Sequence, residues 1–369
     1  ADRSSSSGGG GGVVGLTANQ LQQALMLVVF AFLAQQRGFL WPLVRLGILL
    51  LCTLFLFLVL KQDDILYLPQ IDPSVPRHNT IDPMRFAQMP YDNIELFVEG
   101  QKLHGWFIKQ SADSIQVNRA AATLIYFHGN AGNISNRLPF YRDLWMHNKV
   151  NIIAVDYRGY GDSEGTPSEA GMRLDATAFL EFARAHPAID PSRIVVFGRS
   201  LGGAVGIDLV ASHPGLVRAL VLENTFLSIA DIALVLYPFL RIVTPLLKPP
   251  LLRNIWPSKD RIPNVQCPIL FISGQKDELI PPEHMRGLYR QSRNVPGTKF
   301  CVVPEGTHND TPVRAGKEYY EFMEKFLDTV TSNHSPAPLD EAPSPHQDRR
   351  DTSMSEMTMT DDEDFHMFS

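Results

Sequence analysis

Residues 194–203 read Ile-Val-Val-Phe-Gly-Arg-Ser-Leu-Gly-Gly, a β-branched and aromatic run that breaks into Gly-x-Ser-x-Gly. A strand that ends in this pentapeptide and opens a helix turns sharply. The glycines sit where side chains would clash, and the turn pushes the serine hydroxyl into the open. Ser200 is therefore a candidate nucleophile. A serine hydroxyl is weak at neutral pH and needs a base, usually histidine, which is itself held by an acid. His308, in Gly-Thr-His-Asn-Asp, comes shortly after the run Phe-Cys-Val-Val, and Asp277, in Gly-Gln-Lys-Asp-Glu, comes shortly after Ile-Leu-Phe-Ile-Ser. Both lie just past the expected C-terminal end of a strand, the edge where open parallel sheets build their sites. Glu223, which ends Ala-Leu-Val-Leu, is the rival acid. Glu278 is adjacent to Asp277 but should point differently, and Asp310 lies too close to His308 in sequence to orient its ring.

Acyl transfer also needs two preorganised N–H donors for the developing oxyanion. Leu201 supplies one from the start of the helix after Ser200. The second belongs to the loop His128-Gly-Asn-Ala-Gly-Asn133, whose glycines permit close backbone approach. Asn130 is the first choice and Ala131 the next. His128 precedes a glycine and reads as a loop-shaping residue. Asp156, in Asp-Tyr-Arg-Gly-Tyr-Gly-Asp-Ser, reads as a tie for its own loop, and Ser163 lacks the strand–turn–helix setting of a nucleophile. No spacing of Cys, His or acidic residues suggests a metal site, and no phosphate loop is present, so no cofactor is expected.

These residues need a sheet to carry them. The 369 residues suffice for one large domain plus tails; 44% are hydrophobic and 20% charged, as in a globular fold. A net charge of −6 argues against nucleic acid as a partner. Strands are expected at 94–98, 103–109, 123–127, 151–155, 193–197, 219–222, 269–273 and 299–303, with helices near 134–147, 169–185, 201–213, 283–291 and 315–330. The first two strands form a hairpin, and the others alternate with helices. The reading is an α/β fold over residues 91–330: a mostly parallel sheet with helices on both faces. Near-continuous apolar strands fit a sheet buried on both sides.

The flanks differ in kind. Residues 1–20 are a Ser/Gly tract and 331–369 an acidic Ser/Pro/Met tail, neither able to bury a core. Residues 46–60 carry no charge, and extended back to 39 they make a segment long enough to span a bilayer, with Arg45 near one end. An earlier run, 21–34, is short for a span and reads as an interfacial helix or a lead into it. Because the apolar run ends in Lys-Gln-Asp-Asp, it reads as an uncleaved signal-anchor: a single pass with a cytosolic N-terminus, type II. Residues 61–90 are a Pro-rich linker. An apolar, proline-interrupted insertion at 224–260 reads as a lid.

Together, His128-Gly-Asn-Ala-Gly-Asn, Asp156-Tyr-Arg-Gly-Tyr-Gly, Gly198-Arg-Ser-Leu-Gly-Gly, Glu223-Asn-Thr-Phe, Gly274 to Asp277 and His308-Asn-Asp resemble the α/β-hydrolase superfamily, and within it the bud-emergence type. The resemblance covers about residues 65–330. It implies an eight-stranded hydrolase sheet, a Ser200/Asp277/His308 triad and an N-terminal membrane anchor. Some relatives are protein depalmitoylases, which carry an N-terminal cysteine cluster; this chain has only Cys52 there. The expectation is a membrane-anchored serine hydrolase acting on an ester or thioester, with a membrane lipid or an acylated substrate as partner. A palmitoyl-protein hydrolase and a non-catalytic membrane scaffold are the alternatives.

Overall fold

The computed structural model describes residues 18–332, apart from 71, 73, 237, 239–240, 242–250 and 293–294, together with residues 365–367. It divides into two units, residues 1–61 and 62–369.

The first unit contains one helix, α1 (Ala18–Leu60), which joins both apolar runs despite Pro42. Its stretch Trp41–Leu60 is the one helical segment among the described residues long and apolar enough to cross a membrane. Twenty residues at 1.5 Å rise give about 30 Å, the hydrocarbon thickness of a bilayer. The polar groups within it have local partners. Thr53 Oγ1 donates to the Leu49 carbonyl at 2.8 Å, and the Arg45 guanidinium lies 5.5 Å from the centre of the Trp41 ring.

The second unit is built on a sheet of β1 (Tyr91–Val98), β2 (Gln101–Ile108), β3 (Thr123–Phe127), β4 (Asn151–Val155), β5 (Ile194–Arg199), β6 (Ala219–Glu223), β7 (Ile269–Gly274), β8 (Lys299–Val303) and β9 (Phe365–Met367). Its order is β1-β2-β4-β3-β5-β6-β7-β8-β9. The hairpin β1–β2 and the β2–β4 pair are antiparallel; from β4 onward every pair is parallel. Eight strands fall where the apolar runs put them. The ninth comes from the far C-terminal segment, where three residues pair with β8 on the sheet's open edge. Such a short pairing leaves no periodicity to read beforehand. Residues 333–364, the bulk of the expected tail, lie outside the described residues, as do residues 1–17.

Side chains alternate across the sheet. Ile125 and Phe127 belong to one buried cluster, Leu124 and Tyr126 to the other. Two full cores explain why β3 to β7 are buried along their whole length. The helices that cover them are α2 (Gln62–Leu66), α3 (Pro83–Ala87), α4 (Ile115–Ala120), α5 (Leu138–His147), α6 (Glu169–Ala185), α7 (Leu201–Ser212), α8 (Ile229–Leu236), α9 (Ser258–Arg261), α10 (Glu283–Ser292), α11 (Thr311–Ala315) and α12 (Lys317–Thr331). Within the insertion read as a lid, α8 and residues 251–256 are described, whereas most of 237–250 is not.

After β3 the chain steps outward to β4, then crosses back to place β5 on β3's other side. The loops after β3 and β5 therefore part at the topological switch point, where such sheets open a crevice.

Candidate active site

At the end of β5 the chain must turn into α7 with almost no room. Ser200 takes φ 53°, ψ −120°, a conformation that costs a non-glycine residue about 1–3 kcal/mol. Its neighbours make the turn feasible. A Cβ on Gly198 would lie 2.3 Å from the Gly202 carbonyl oxygen, and one on Gly202 would lie 2.0 Å from that of Phe127. The strained turn is pinned on both sides. The Ser200 N–H donates to the Glu223 carbonyl at 2.9 Å, and Thr225 Oγ1 donates to the Ser200 carbonyl at 2.7 Å.

Asp277 and His308 follow β7 and β8, so both are delivered to the same sheet edge. His308 Nδ1 lies 2.8 Å from Asp277 Oδ2, and its Nε2 lies 3.1 Å from Ser200 Oγ. With the ring proton on Nδ1, directed at the carboxylate, Nε2 accepts from the Ser200 hydroxyl. The other Asp277 oxygen accepts from the N–H groups of Leu279 and Ile280 at 2.9 and 2.7 Å, which fixes the carboxylate's orientation. Ser200, Asp277 and His308 are all buried, each keeping less than a tenth of its surface.

The rival acids are occupied elsewhere. Glu223 pairs with Arg199 Nε at 3.1 Å and accepts from the Tyr319 hydroxyl at 2.5 Å. Glu278 accepts from the His308 main-chain N–H at 3.3 Å, not from its ring. Asp310 binds Thr307 and Arg314. Desolvation opposes its ionisation, but hydrogen bonds from Arg314 and Thr307 outweigh that and bring its carboxyl down to about 2.

The loop after β3 lies against the nucleophile. A Cβ on Gly129 would stand 3.5 Å from Ser200 Cβ, an ordinary van der Waals contact, so the loop and the turn are in direct packing distance. Asn130 and Ala131 follow directly. The Asn130 side chain is held by other groups: Nδ2 donates to the Leu66 carbonyl at 2.6 Å, and Oδ1 accepts from Tyr160 Oη at 2.8 Å. Leu201 is the first residue of α7, so its N–H has no acceptor within the helix. His128 is fully buried and sits 2.6 Å from the Gly129 carbonyl through Nδ1. Burial, reinforced by Arg137, lowers its pKa to about 3, so it is a neutral brace for the loop. Asp156 ties loops together, accepting from Ile134 N and Asn79 Nδ2 at 3.1 and 2.6 Å.

Two elements escape sequence reasoning. Arg199, the variable residue inside Gly-x-Ser-x-Gly, donates to the His308 carbonyl at 2.8 Å while paired with Glu223. Burial works against its charge, but the Glu223 carboxylate together with the Tyr126 and Tyr319 hydroxyls outweighs burial and raises its pKa. Asn224, at φ 46°, donates to the Thr307 carbonyl at 3.1 Å and accepts from Gly274 N at 2.8 Å. These side chains bind the loop bearing His308 to the turn bearing Ser200. Only the motif Glu223-Asn-Thr-Phe pointed this way, and it named no partners. Among the described residues no cluster of His, Cys, Asp or Glu has the arrangement of a metal site.

Comparison with known proteins agrees with this architecture. Residues 118–260 match the Hydrolase_4 family, described as serine aminopeptidase, S33. The α/β-hydrolase domain-containing protein WAV2 of Arabidopsis thaliana is 41% identical over 283 residues, 73% of this chain and 89% of that protein. Protein bem46 of Schizosaccharomyces pombe is 36% identical over 277 residues, 73% of this chain and 87% of its own. An uncharacterized membrane protein of Saccharomyces cerevisiae is 33% identical, covering 68% of this chain and 84% of its own. Among solved structures, an esterase of Pyrococcus furiosus superposes with a TM-score of 0.55 at 21% identity, covering 70% of this chain and 99% of that one.

Proposed function

Since the chain belongs to the α/β-hydrolase family, we propose that it is a membrane-anchored serine hydrolase that cleaves an ester or thioester of a lipid-like acyl group. The observation that carries this reading is His308 set between Ser200 and Asp277 at 3.1 and 2.8 Å. In the first half-reaction Ser200 Oγ bonds to the acyl carbon while His308 Nε2 takes its proton. His308 returns that proton to the leaving oxygen or sulfur as its bond to the acyl carbon breaks. The main-chain N–H groups of Leu201 and of Asn130 or Ala131 hold the oxyanion in between. Water then attacks the acyl-enzyme, His308 takes its proton, and the acid departs with Ser200 restored. Asp277 keeps the imidazole in the tautomer that accepts from serine and stabilises its cation.

The membrane part of the proposal rests on Trp41–Leu60 and on a yeast relative named as a membrane protein. Arg37 precedes the span and Arg45 lies near its N-terminal end, whereas Lys61 is followed by Asp63 and Asp64, which favours a cytosolic N-terminus. The apolar insertion at 224–260 suits an acyl chain.

Labelling of membranes by a fluorophosphonate probe tests the reaction class. The wild type is expected to label and Ser200→Ala to remain unlabelled; labelling of Ser200→Ala at an unchanged rate overturns the assignment. Because the family description also names a peptidase, the substrate panel pairs acyl esters and thioesters with aminoacyl arylamides. Turnover of the arylamides alone overturns the ester reading.

A further inference from the structure

Resting on that reading, we propose that residues 62–68, the first seven of the second unit, form a strap that positions the oxyanion loop. The site is complete only when the strap is seated. The sequence placed these residues in a linker; the structure packs them against two loops at the sheet's C-terminal edge.

On one side the strap is joined to the loop after β3. The Asn130 amide spans its main chain, donating to the Leu66 carbonyl at 2.6 Å and accepting from the Leu68 N–H at 3.3 Å. The Gly132 N–H donates to the Leu68 carbonyl at 3.2 Å, and Leu68 bridges Ala131 in parallel register. The Tyr160 hydroxyl closes the set, donating to Asn130 Oδ1 at 2.8 Å and accepting from Leu68 N at 3.1 Å. Residues 130–132 are thus held against the strap by a single β-bridge and the bonds around it, with their conformation set from outside the loop.

On the other side the strap grips the end of the apolar insertion. Tyr67, 2% exposed, donates its hydroxyl to Asn254 Oδ1 at 2.8 Å and accepts from Trp256 Nε1 at 3.1 Å. Asp63 pairs with Arg253 at 3.0 Å, and Gln62 Oε1 accepts from the Arg253 N–H at 2.7 Å. A segment anchored by two buried aromatic side chains and an ion pair is a rigid support. A peptide N–H must face the oxyanion within a few tenths of an ångström to stabilise it, so such a support bears on rate. No Asn130 side-chain atom is needed for the chemistry itself; its amide is a positioning group.

The test uses the full-length chain in detergent with a soluble short-chain ester. Asn130→Ala keeps the main-chain N–H but loses the amide's bonds to the strap. Its kcat is expected to fall roughly 10- to 100-fold, with KM within about twofold and fluorophosphonate labelling slowed in proportion, since one misplaced oxyanion donor costs about that much or more. Tyr160→Phe is expected to show the same split, more weakly. Replacing residues 62–68 by a Gly/Ser segment of equal length is expected to lower kcat further, whereas a Gly/Ser insertion between Lys61 and Gln62 leaves it unchanged. Folded Asn130→Ala with wild-type kcat overturns the strap; so does a fall confined to KM. If the Gly/Ser replacement does not fold, the two point variants decide. Ester turnover by Ser200→Ala overturns the underlying triad instead, so the two failures are distinct.

Discussion

The chain contains two sets of serine, histidine and aspartate, and they have opposite structural roles. In the first, His308 turns one nitrogen to Asp277 and the other to the Ser200 hydroxyl. In the second, His104 Nδ1 lies 3.1 Å from Asp156 Oδ2, nearly the same contact. The Ser163 hydroxyl, however, donates to the Asp156 carbonyl and accepts from the His104 main-chain N–H, both at 2.8 Å. It has no bond to the ring, and its proton is given to a backbone carbonyl. Asp156 is fully buried and shared among several donors from different loops. Residue types alone do not make a nucleophile. What distinguishes Ser200 is a strained turn that leaves its hydroxyl to histidine and to nothing else.

That contrast breaks first at the serines. Ser200→Ala is expected to lower kcat by roughly 10³- to 10⁶-fold, while Ser163→Ala keeps it within about twofold and costs about 1–3 kcal/mol of stability through lost buried hydrogen bonds. Steady-state hydrolysis and denaturant unfolding of both variants check this. Equal losses of rate would erase the distinction. The acids sharpen it. Asp277→Asn is expected to lower kcat about 10²- to 10⁴-fold with little change in stability, because an amide favours the wrong imidazole tautomer. Asp156→Asn is expected to do the reverse, with loss of stability and a rate per folded molecule near wild type.

Glu223 is next. Glu223→Ala strands the Arg199 guanidinium in the core and is expected to cost about 3–5 kcal/mol. Its rate should fall less than that of Asp277→Asn, since Arg199 and Asn224 both still reach the loop of His308. A rate loss as deep as that of Asp277→Asn in folded protein would return Glu223 to the role of acid.

The smallest effect on rate belongs to His128. Its pKa is lowered to about 3 in the fold against an ordinary value near 6.5 in the unfolded chain. Between those values the unfolded chain binds a proton that the folded one does not, so this group makes stability rise with pH, by at most about 1.4 kcal/mol per unit. Below pH 3 and above about 6.5 its contribution is flat. His128→Gln is expected to flatten the stability profile between pH 3 and 6.5, measured by urea unfolding in steps of pH. An unaltered slope would show that the imidazole is protonated inside the fold.

How much of this was legible beforehand depends on whether the signal was local. Ser200 announced itself through Gly198 and Gly202, a pattern written within five residues, although the backbone that Gly202 must clear, the Phe127 carbonyl 2.0 Å from its missing Cβ, comes from another strand. The parallel strands announced themselves as apolar runs because both faces of the sheet are buried. Asp277 and His308 were placed by their position just beyond such runs. Asp277 was preferred to Glu223 from its place in the loop after its strand. What the sequence did not show was the Arg199 guanidinium that holds the Glu223 carboxylate. Nor was the strap legible. Gln62 to Leu68 carry no period, and their partners lie some 60 to 190 residues away in the chain.

The sequence by itself picked out the candidate nucleophile, the order of the strands' apolar runs and an apolar helix long enough for a bilayer, because each is read from neighbours a few residues apart. The tertiary structure alone decided which carboxylate bonds to the His308 ring, which serine is occupied by backbone, and which main chain bonds to the loop after β3. Those outcomes depend on hydrogen bonds between segments far apart in the chain. A hydroxyl or carboxylate has a few bonds to give, and only the folded arrangement determines which groups receive them.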